Sequence, residues 1–261
     1  MDLGLAGKTA LVLGASGGLG GAIAAELARE GARVAVASRS AERAQAVARQ
    51  IADAGGEALP VSWDLGDLAA IDGAVSTVED RYGPVNVLVN NTGGPPPTPA
   101  HGQDPALWRE HFTSMVLSVI ALTDRVLPGM RAGGWGRIIT STSSGIISPI
   151  PNLGLSNSLR LALTGWSKTL AREVAGEGIT VNVLVPGRIA TRRTRMLDTA
   201  RAEREKRPMA EVVAESLAAI PAGRYGEPRE YAQVAAFLAG ECASYVTGSV
   251  IRVDGGLIAG L

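Results

Sequence analysis

The residues that point most directly to a chemistry are four glycines in the stretch GASGGLG, at positions 14–20. They follow the short apolar run 10–13 and precede a stretch with helical periodicity, so the pattern predicts a strand, a tight turn and a helix. A turn without Cβ atoms lets a diphosphate approach the backbone, and the free N–H groups and dipole of the helix N-terminus favour an anion. The stretch therefore indicates a dinucleotide site that opens a doubly wound α/β fold.

Two other interpretations fit the same glycines. Their spacing is G-x-x-x-G-x-G, so a tight turn that binds no ligand also explains them. Positions 14–18 in addition match the G-x-S-x-G nucleophile elbow of serine hydrolases. A hydrolase needs an acid and then a histidine downstream, and its elbow normally follows several strands. The only histidines, His101 and His111, lie together before the later strands, which disfavours this interpretation.

The end of the second predicted strand indicates which dinucleotide is bound. An acidic residue there would hold the ribose 2′-OH and select NAD, but the sequence reads Ser38-Arg39. A guanidinium at this point suits a 2′-phosphate, so the sequence favours NADP(H) over NAD(H). Two points count against this: Arg39 could be a solvated loop charge, and Gly17 supplies no basic residue in the glycine turn.

Alternating strands and helices must position these residues. We expect strands at 10–13, 32–38, 58–63, 85–89, 137–140, 179–185 and 249–253. Beside the helix after the glycine turn, we expect helices at 41–54, 68–82, 105–130, 152–175 and 230–239. This alternation predicts a parallel sheet with right-handed crossovers. Because ligands lie beyond the carboxyl ends of such strands, Asp64, Asn91 and Gly93 are expected to line the cofactor cleft.

Residues 188–220 form the most polar part of the chain and follow a predicted strand. We interpret them as a mobile substrate lid, with a solvated helical hairpin as the alternative. Four arginines open the segment, and they predict either a carboxylate- or phosphate-bearing substrate or simple solvated charges. They are Arg188, Arg192, Arg193 and Arg195.

Composition bounds the remaining possibilities. The chain has 261 residues, of which 46% are hydrophobic and 19% charged, and we expect a single domain over 1–261. Its formal net charge of zero predicts no nucleic-acid partner. The lone Cys242 cannot form an internal disulfide, so we expect a reduced, cytoplasmic setting and no metal site. We also expect no signal peptide and no apolar run of membrane-spanning length.

The chain resembles the short-chain dehydrogenase/reductase family over nearly its whole length, from about residue 5 to 256. The resemblance rests on GASGGLG at 14–20, Asp64-Leu65, NNTG at 90–93, Leu127-Pro128 and the C-terminal segments YVTG at 245–248 and VDGG at 253–256, together with Pro186-Gly187 and Thr191. It implies one Rossmann-type domain with a seven-stranded parallel sheet and helices on both faces. It also implies a homotetramer or homodimer that acts on a small molecule.

The cofactor contacts implied by this resemblance lie at the strand ends and in the glycine turn. They are Gly14, Ser16, Gly18, Leu19, Gly20, Ser38, Arg39, Asp64, Leu65, Asn91, Gly93, Arg160, Pro186, Gly187, Ile189 and Thr191.

The catalytic pattern departs from the family. Aligning the segments places Ser143 at the family's serine, Ser156 at its tyrosine, Arg160 at its lysine and Met115 at its asparagine. A serine hydroxyl is a much weaker acid than a phenol, and an arginine does not readily release a proton, so simple ketone reduction by the family's route is disfavoured. Hydride addition to a conjugated alkene requires only an oxyanion to be stabilised, which Ser143, Ser156 and Arg160 could do. Some family members with a similar Ser-Asn segment reduce conjugated alkenes.

Three hypotheses follow. The first is an NADP(H)-dependent reductase that adds hydride to a carbonyl-conjugated small molecule. The second is a cofactor-binding regulatory or scaffold protein without redox activity. The third is a non-redox enzyme, an isomerase or lyase, that uses the inherited cleft.

Overall fold

The computed structural model describes residues 2–260 and contains one seven-stranded parallel sheet, in the order β3-β2-β1-β4-β5-β6-β7. The strands are β1 (Thr9–Val12), β2 (Arg33–Ser38), β3 (Glu57–Ser62), β4 (Val87–Asn90), β5 (Gly136–Ser141), β6 (Ile179–Pro186) and β7 (Val250–Val253). This order confirms the predicted Rossmann-type fold. Strand order reverses between β1 and β4, which opens a crevice at their carboxyl ends.

Helices cover both faces of the sheet. They are α1 (Gly18–Arg29), α2 (Ala41–Asp53), α3 (Ile71–Tyr82), α4 (Pro105–Phe112), α5 (Ser118–Ala132), α6 (Gly154–Val174), α7 (Arg192–Glu205), α8 (Met209–Ala218) and α9 (Pro228–Ala239). Short 3₁₀ turns occupy Leu68–Ala70, Ser144–Ile146, Ala175–Glu177 and Glu241–Ala243.

The central strands β1, β4 and β5 are buried on both faces, as a parallel sheet between helices requires. In β1, Val12 faces a core that includes Ile23 of α1, whereas Leu11 faces a second core that includes Leu122 of α5. All four residues of β1 are buried. The two cores fix the sheet from both sides, and they hold the carboxyl edge as a rigid frame.

The long helix predicted at 105–130 is interrupted. A π-helical stretch, Thr113–Leu117, separates α4 from α5. By length and composition alone, the helix from Pro105 to Ala132 could cross a membrane, so the expectation that no apolar run reaches that length was wrong. Its buried face packs in the protein cores, where Val119, Leu122 and Met130 are fully buried.

Candidate active site

Two cavities lie side by side along the carboxyl edge of the sheet. The larger, of about 650 Å³, extends toward β2 and β3, and the other, of about 500 Å³, extends toward β6 and α7. Both are lined by the four residues that follow β4, Asn91 to Gly94. The cleft is therefore one elongated groove with two chambers that meet in the crevice between β1 and β4.

The glycine turn is fixed to the end of β4. The Asn91 side-chain amide donates to the carbonyl oxygens of Leu13 (3.2 Å) and Gly14 (3.4 Å). Gly14 has a φ of 58°, and a Cβ there would collide with the backbone of Asn91. Both the backbone conformation and the close approach thus require glycine at this position.

Other glycines of the turn and of the segment after β4 have two different roles. Gly20 is buried in α1 and lines neither chamber, and a Cβ there would collide with the carbonyl of Gly14, so it allows the helix to pack on the turn. Cβ atoms at Gly17 and Gly93 would instead enter open space in the groove. This bare backbone beside the N-terminus of α1 fits the phosphates of a dinucleotide.

The larger chamber contains the residues predicted for the adenosine half of the cofactor. It is lined by Ser16, Ser38, Arg39, Asp64 and Leu65, and by Arg43, which the sequence did not single out. Arg43 lies in the first turn of α2, where its backbone N–H donates to the Ser40 hydroxyl at 3.3 Å. Its position four residues after Arg39, beyond the end of β2, is the sequence feature that could have identified it. Two arginines at this mouth favour a phosphate over a bare ribose hydroxyl.

The smaller chamber brings the three predicted catalytic residues together. Ser143, Ser156 and Arg160 line it, and so do other residues predicted to contact the cofactor. These are Gly18, Leu19, Asn91, Gly93, Pro186, Gly187, Ile189 and Thr191. The Ser143 hydroxyl accepts from the Gly145 N–H at 3.2 Å, and Ser156 is only 6% exposed.

Arg160 is the most unusual group in this chamber. Its side chain is buried and donates to the carbonyl oxygens of Ser141, Thr92 and Gly93, each at 3.3 Å. No carboxylate among the described residues pairs with it. Burial lowers the pKa of Arg160 to about 10, so the guanidinium still carries its charge at neutral pH. The chamber therefore presents a fixed cation, held in place by neutral carbonyl dipoles.

The nearest phenol lies beneath the chamber rather than in it. Tyr231 lies in α9, far along the chain from Ser156, and its hydroxyl is 2.8 Å from the Ser141 Oγ and donates to the Leu184 carbonyl at 3.1 Å. Burial raises the pKa of Tyr231. Within residues 2–260, no tyrosine lines either chamber. Tyr231 thus acts as a support for Ser141, whose carbonyl in turn holds Arg160.

Met115, which aligns with the family's asparagine, lies in apolar surroundings. Met115 is 2% exposed and lies in the π-helical stretch, where it packs with Val116 and Leu159 and borders the larger chamber. π-Helical turns often occur at functional sites, but this one carries a thioether that cannot relay a proton.

The polar segment 188–220 forms two helices, α7 and α8. Several residues of α7 line that chamber, and Arg188 pairs with the buried Asp198, which also accepts from the Tyr225 hydroxyl at 2.8 Å. Arg201 links the two helices through Glu215 at 2.6 Å. This arrangement is compatible with both interpretations of the segment, a substrate lid and a solvated helical hairpin. In either case, α7 lines the smaller chamber.

The chain is similar to known proteins over nearly its whole length. Residues 14–258 match the family model described as enoyl-(acyl carrier protein) reductase. The 3-oxoacyl-(acyl-carrier-protein) reductase FabG of Escherichia coli strain K12 is 38% identical over 254 residues, which cover 96% of this chain and 97% of that protein.

Solved structures agree with this likeness. L-Sorbose reductase from Gluconobacter frateurii, complexed with NADPH and L-sorbose, superposes with a TM-score of 0.94 at 31% identity, and the match covers both chains completely. YwfH, an NADPH-dependent reductase involved in bacilysin biosynthesis, gives a TM-score of 0.93 at 30% identity over 97% of this chain and 99% of its own. NADPH is thus the nucleotide of both solved relatives, in agreement with the cofactor expected from the sequence.

Proposed function

This chain belongs to the short-chain dehydrogenase/reductase family, and we propose that it is an NADP(H)-dependent oxidoreductase with an altered catalytic triad. Its reaction is hydride addition to the alkene of a carbonyl-conjugated small molecule, in preference to reduction of a simple ketone. One observation carries the proposal: Ser143, Ser156 and the buried cation Arg160 line a chamber to which, among the described residues, no phenol contributes.

The groove suits the nucleotide. Gly17 and Gly93 leave space above the backbone for the phosphates and the nicotinamide half, and Arg39 with Arg43 offers charge for a 2′-phosphate. Bound NADPH supplies the hydride, which is chemistry that the side chains of the protein cannot provide. The protein contributes orientation, exclusion of water and stabilisation of charge.

Ketone reduction needs an acid that protonates the developing alkoxide. Neither serine is acidic enough, and loss of a proton from Arg160 would cost the chamber the cation that three backbone carbonyl oxygens hold in place. Conjugate addition avoids this requirement. The hydride bonds to the β-carbon, the alkene electron pair forms a new double bond between the α-carbon and the carbonyl carbon, and the carbonyl π pair moves onto the oxygen to give an enolate. Arg160 stabilises that oxyanion with the hydroxyls of Ser143 and Ser156, and water then protonates the α-carbon.

The relatives support the NADP(H)-dependent oxidoreductase, but they divide between the two possible reactions. The matching family model is described as an enoyl reductase, which names reduction of a conjugated alkene, whereas FabG is named for a 3-oxo substrate. The residues of the smaller chamber favour the first reaction for this chain. We further propose a cytoplasmic homotetramer or homodimer, and a lid at 188–220 that closes on a small-molecule substrate.

The test uses a pair of substrates that differ only in the double bond. NADPH and NADH are first titrated by nicotinamide fluorescence, and NADPH is expected to bind more tightly. 4-Phenyl-3-buten-2-one and 4-phenyl-2-butanone are then incubated with NADPH, and the products are identified by chromatography. The expected result is NADPH oxidation with the enone, 4-phenyl-2-butanone as its product, and no turnover of the saturated ketone.

Each other outcome points to a different function. Formation of the allylic alcohol, or reduction of 4-phenyl-2-butanone, would assign ordinary ketone reduction. Tight NADPH binding without oxidation in a broad screen of enones and ketones would favour the scaffold alternative. Substrate conversion without net NADPH consumption would favour an isomerase or lyase.

A further inference from the structure

The smaller chamber has a strongly one-sided charge. Six arginines line it, and no aspartate or glutamate of the described chain does so. The arginines are Arg160, Arg188, Arg192, Arg193, Arg201 and Arg204. The protein as a whole has no net charge, so this concentration of cations is a local property of the chamber.

Three of these six arginines form ion pairs with carboxylates that do not line the chamber. Arg188 pairs with Asp198, and Glu205 accepts from both Arg201 (2.9 Å) and Arg204 (3.2 Å). The other three have no carboxylate partner within the described part of the chain. They are Arg160, which is buried, Arg193, which is half-buried, and Arg192, which is exposed.

Arg160 and Arg193 meet at Gly94. A Cβ built on Gly94 would lie 3.1 Å from the Arg193 Nη2 and 3.8 Å from the Arg160 Nη2, so both guanidiniums border the same small volume. Arg193 is held there by a hydrogen bond from its Nη2 to the Pro95 carbonyl at 3.1 Å. The two cations approach from different elements, since Arg193 lies in the first turn of α7 and Arg160 lies in α6.

Such a pair is unfavourable unless an anion joins it. Cations that are removed from water lose solvation, and like charges nearby add repulsion. Burial lowers the pKa of both arginines, and the charge of Arg193 further lowers that of Arg160. Carbonyl dipoles compensate only in part. A carboxylate between the two guanidiniums would offset the desolvation and the repulsion together, through charge-assisted hydrogen bonds.

We propose that the substrate carries a carboxylate that Arg193 binds beside Gly94, while the neighbouring Arg160 stabilises the enolate oxygen and adds its charge to the site. This inference rests on the proposed function, because the acid is placed in the chamber where the conjugated carbonyl reacts. It defines the substrate class as carboxylic acids with a conjugated carbonyl, and it makes Arg193 a specificity residue that α7 delivers to the chamber.

The test compares one enone as acid and as ester. The substrates are 3-benzoylacrylate and its ethyl ester, and the variants are Arg193→Gln and the matched control Arg195→Gln, an exposed arginine of the same helix that does not line this chamber. The wild type is expected to favour the acid. Arg193→Gln should lower kcat/KM for the acid on the order of ten- to a hundredfold, the value of a charge-assisted hydrogen bond, and leave the ester within about twofold.

Three results would overturn the proposal. These are equal use of acid and ester by the wild type, an equal loss on both substrates in Arg193→Gln, and a weakening of NADPH binding in Arg193→Gln as large as the loss on the acid. The last result would assign the cation to the cofactor. Arg195→Gln is expected to behave as the wild type in every assay.

A binding experiment separates this inference from the proposed reaction. 3-Benzoylpropanoate and its methyl ester cannot undergo conjugate reduction, and their binding to the enzyme–NADPH complex can be followed by calorimetry. If no enone is reduced but the acid still binds in an Arg193-dependent manner, the proposed reaction fails and the carboxylate site stands. If the acid binds no better than the ester, the carboxylate site is refuted whatever the enone assays show.

Discussion

A single methyl group at Gly93 tests the cofactor groove without disturbing the fold. Gly93 borders both chambers, does not adopt the left-handed backbone region, and leaves open space where a Cβ would stand, with no other atom within 4 Å. Alanine therefore fits the backbone in the free protein. The same methyl group would occupy space where the cofactor is expected to pass between the chambers.

Gly93→Ala is expected to have opposite effects on the stability of the protein and on its affinity for NADPH. Replacing glycine at a compatible position raises the free energy of unfolding by about 0.4–1 kcal/mol, because the unfolded chain loses freedom. An extra methyl group in a filled site costs about 1–3 kcal/mol. We therefore expect Gly93→Ala to weaken NADPH binding on the order of 5- to 150-fold, with an unchanged or slightly raised Tm.

The assay is an NADPH titration by nicotinamide fluorescence beside a thermal melt. Gly73→Ala is the control, since Gly73 is exposed in α3, far from the groove in sequence and with free space for a Cβ. It should raise the free energy of unfolding by about 0.5–1 kcal/mol and leave NADPH affinity unchanged. An unaltered NADPH affinity in Gly93→Ala would refute the assignment of this groove to the nucleotide.

Four further predictions follow from the same geometry. Arg39→Glu should weaken NADPH binding on the order of ten- to a hundredfold, with NADH little affected, in parallel fluorescence titrations; equal losses for both nucleotides would contradict the 2′-phosphate assignment. The double variant Ser156→Tyr with Arg160→Lys should gain reduction of 4-phenyl-2-butanone, because an ammonium beside a phenol restores an acid, and the absence of any alcohol product would count against this account. Enone reduction by the wild type should persist up to about pH 9 and decline as the pH passes about 10, where Arg160 loses its proton; a rate that stays constant beyond that pH would exclude Arg160 as the stabilising cation. Tyr231→Phe should lower the free energy of unfolding by about 1–3 kcal/mol in denaturant melts, because it leaves the buried groups of Ser141 and Leu184 short of a partner; an unchanged midpoint would show that this network contributes nothing.

The fold could be predicted because each strand is a short apolar run bounded by turns. The predicted strand ends differ from the observed ends by one or two residues. A strand ends where its hydrogen bonds to the neighbouring strands end, whereas burial can continue beyond that point. Leu13, for example, is buried but lies just beyond β1. The π-helical stretch Thr113–Leu117 left no trace in the sequence, because the apolar periodicity continues through it.

The residues of the candidate site could likewise be predicted only in part. Residues near strand ends, such as Arg39 and Ser143, could be placed from the sequence because the topology brings every carboxyl end to one edge. The contacts that define the chemistry join distant segments. Arg193 reaches Pro95 from 98 residues away, and Tyr231 reaches Ser141 from 90 residues away, so no local pattern announces either contact.

The two departures that we propose from the family's catalytic pattern, Ser156 and Arg160, make physical sense only as a pair. An ammonium beside a phenol serves to lower the pKa of that phenol, and without the phenol it would have no acid to tune. Arg160 instead offers a planar cation whose orientation is fixed by the carbonyls of Ser141, Thr92 and Gly93. A cation held before the reaction begins stabilises a developing oxyanion without reorganisation, which is the main demand of conjugate addition. The same frame that fixes Arg160, with Tyr231 buried behind Ser141, therefore suits a reaction that stabilises charge and leaves proton transfer to water.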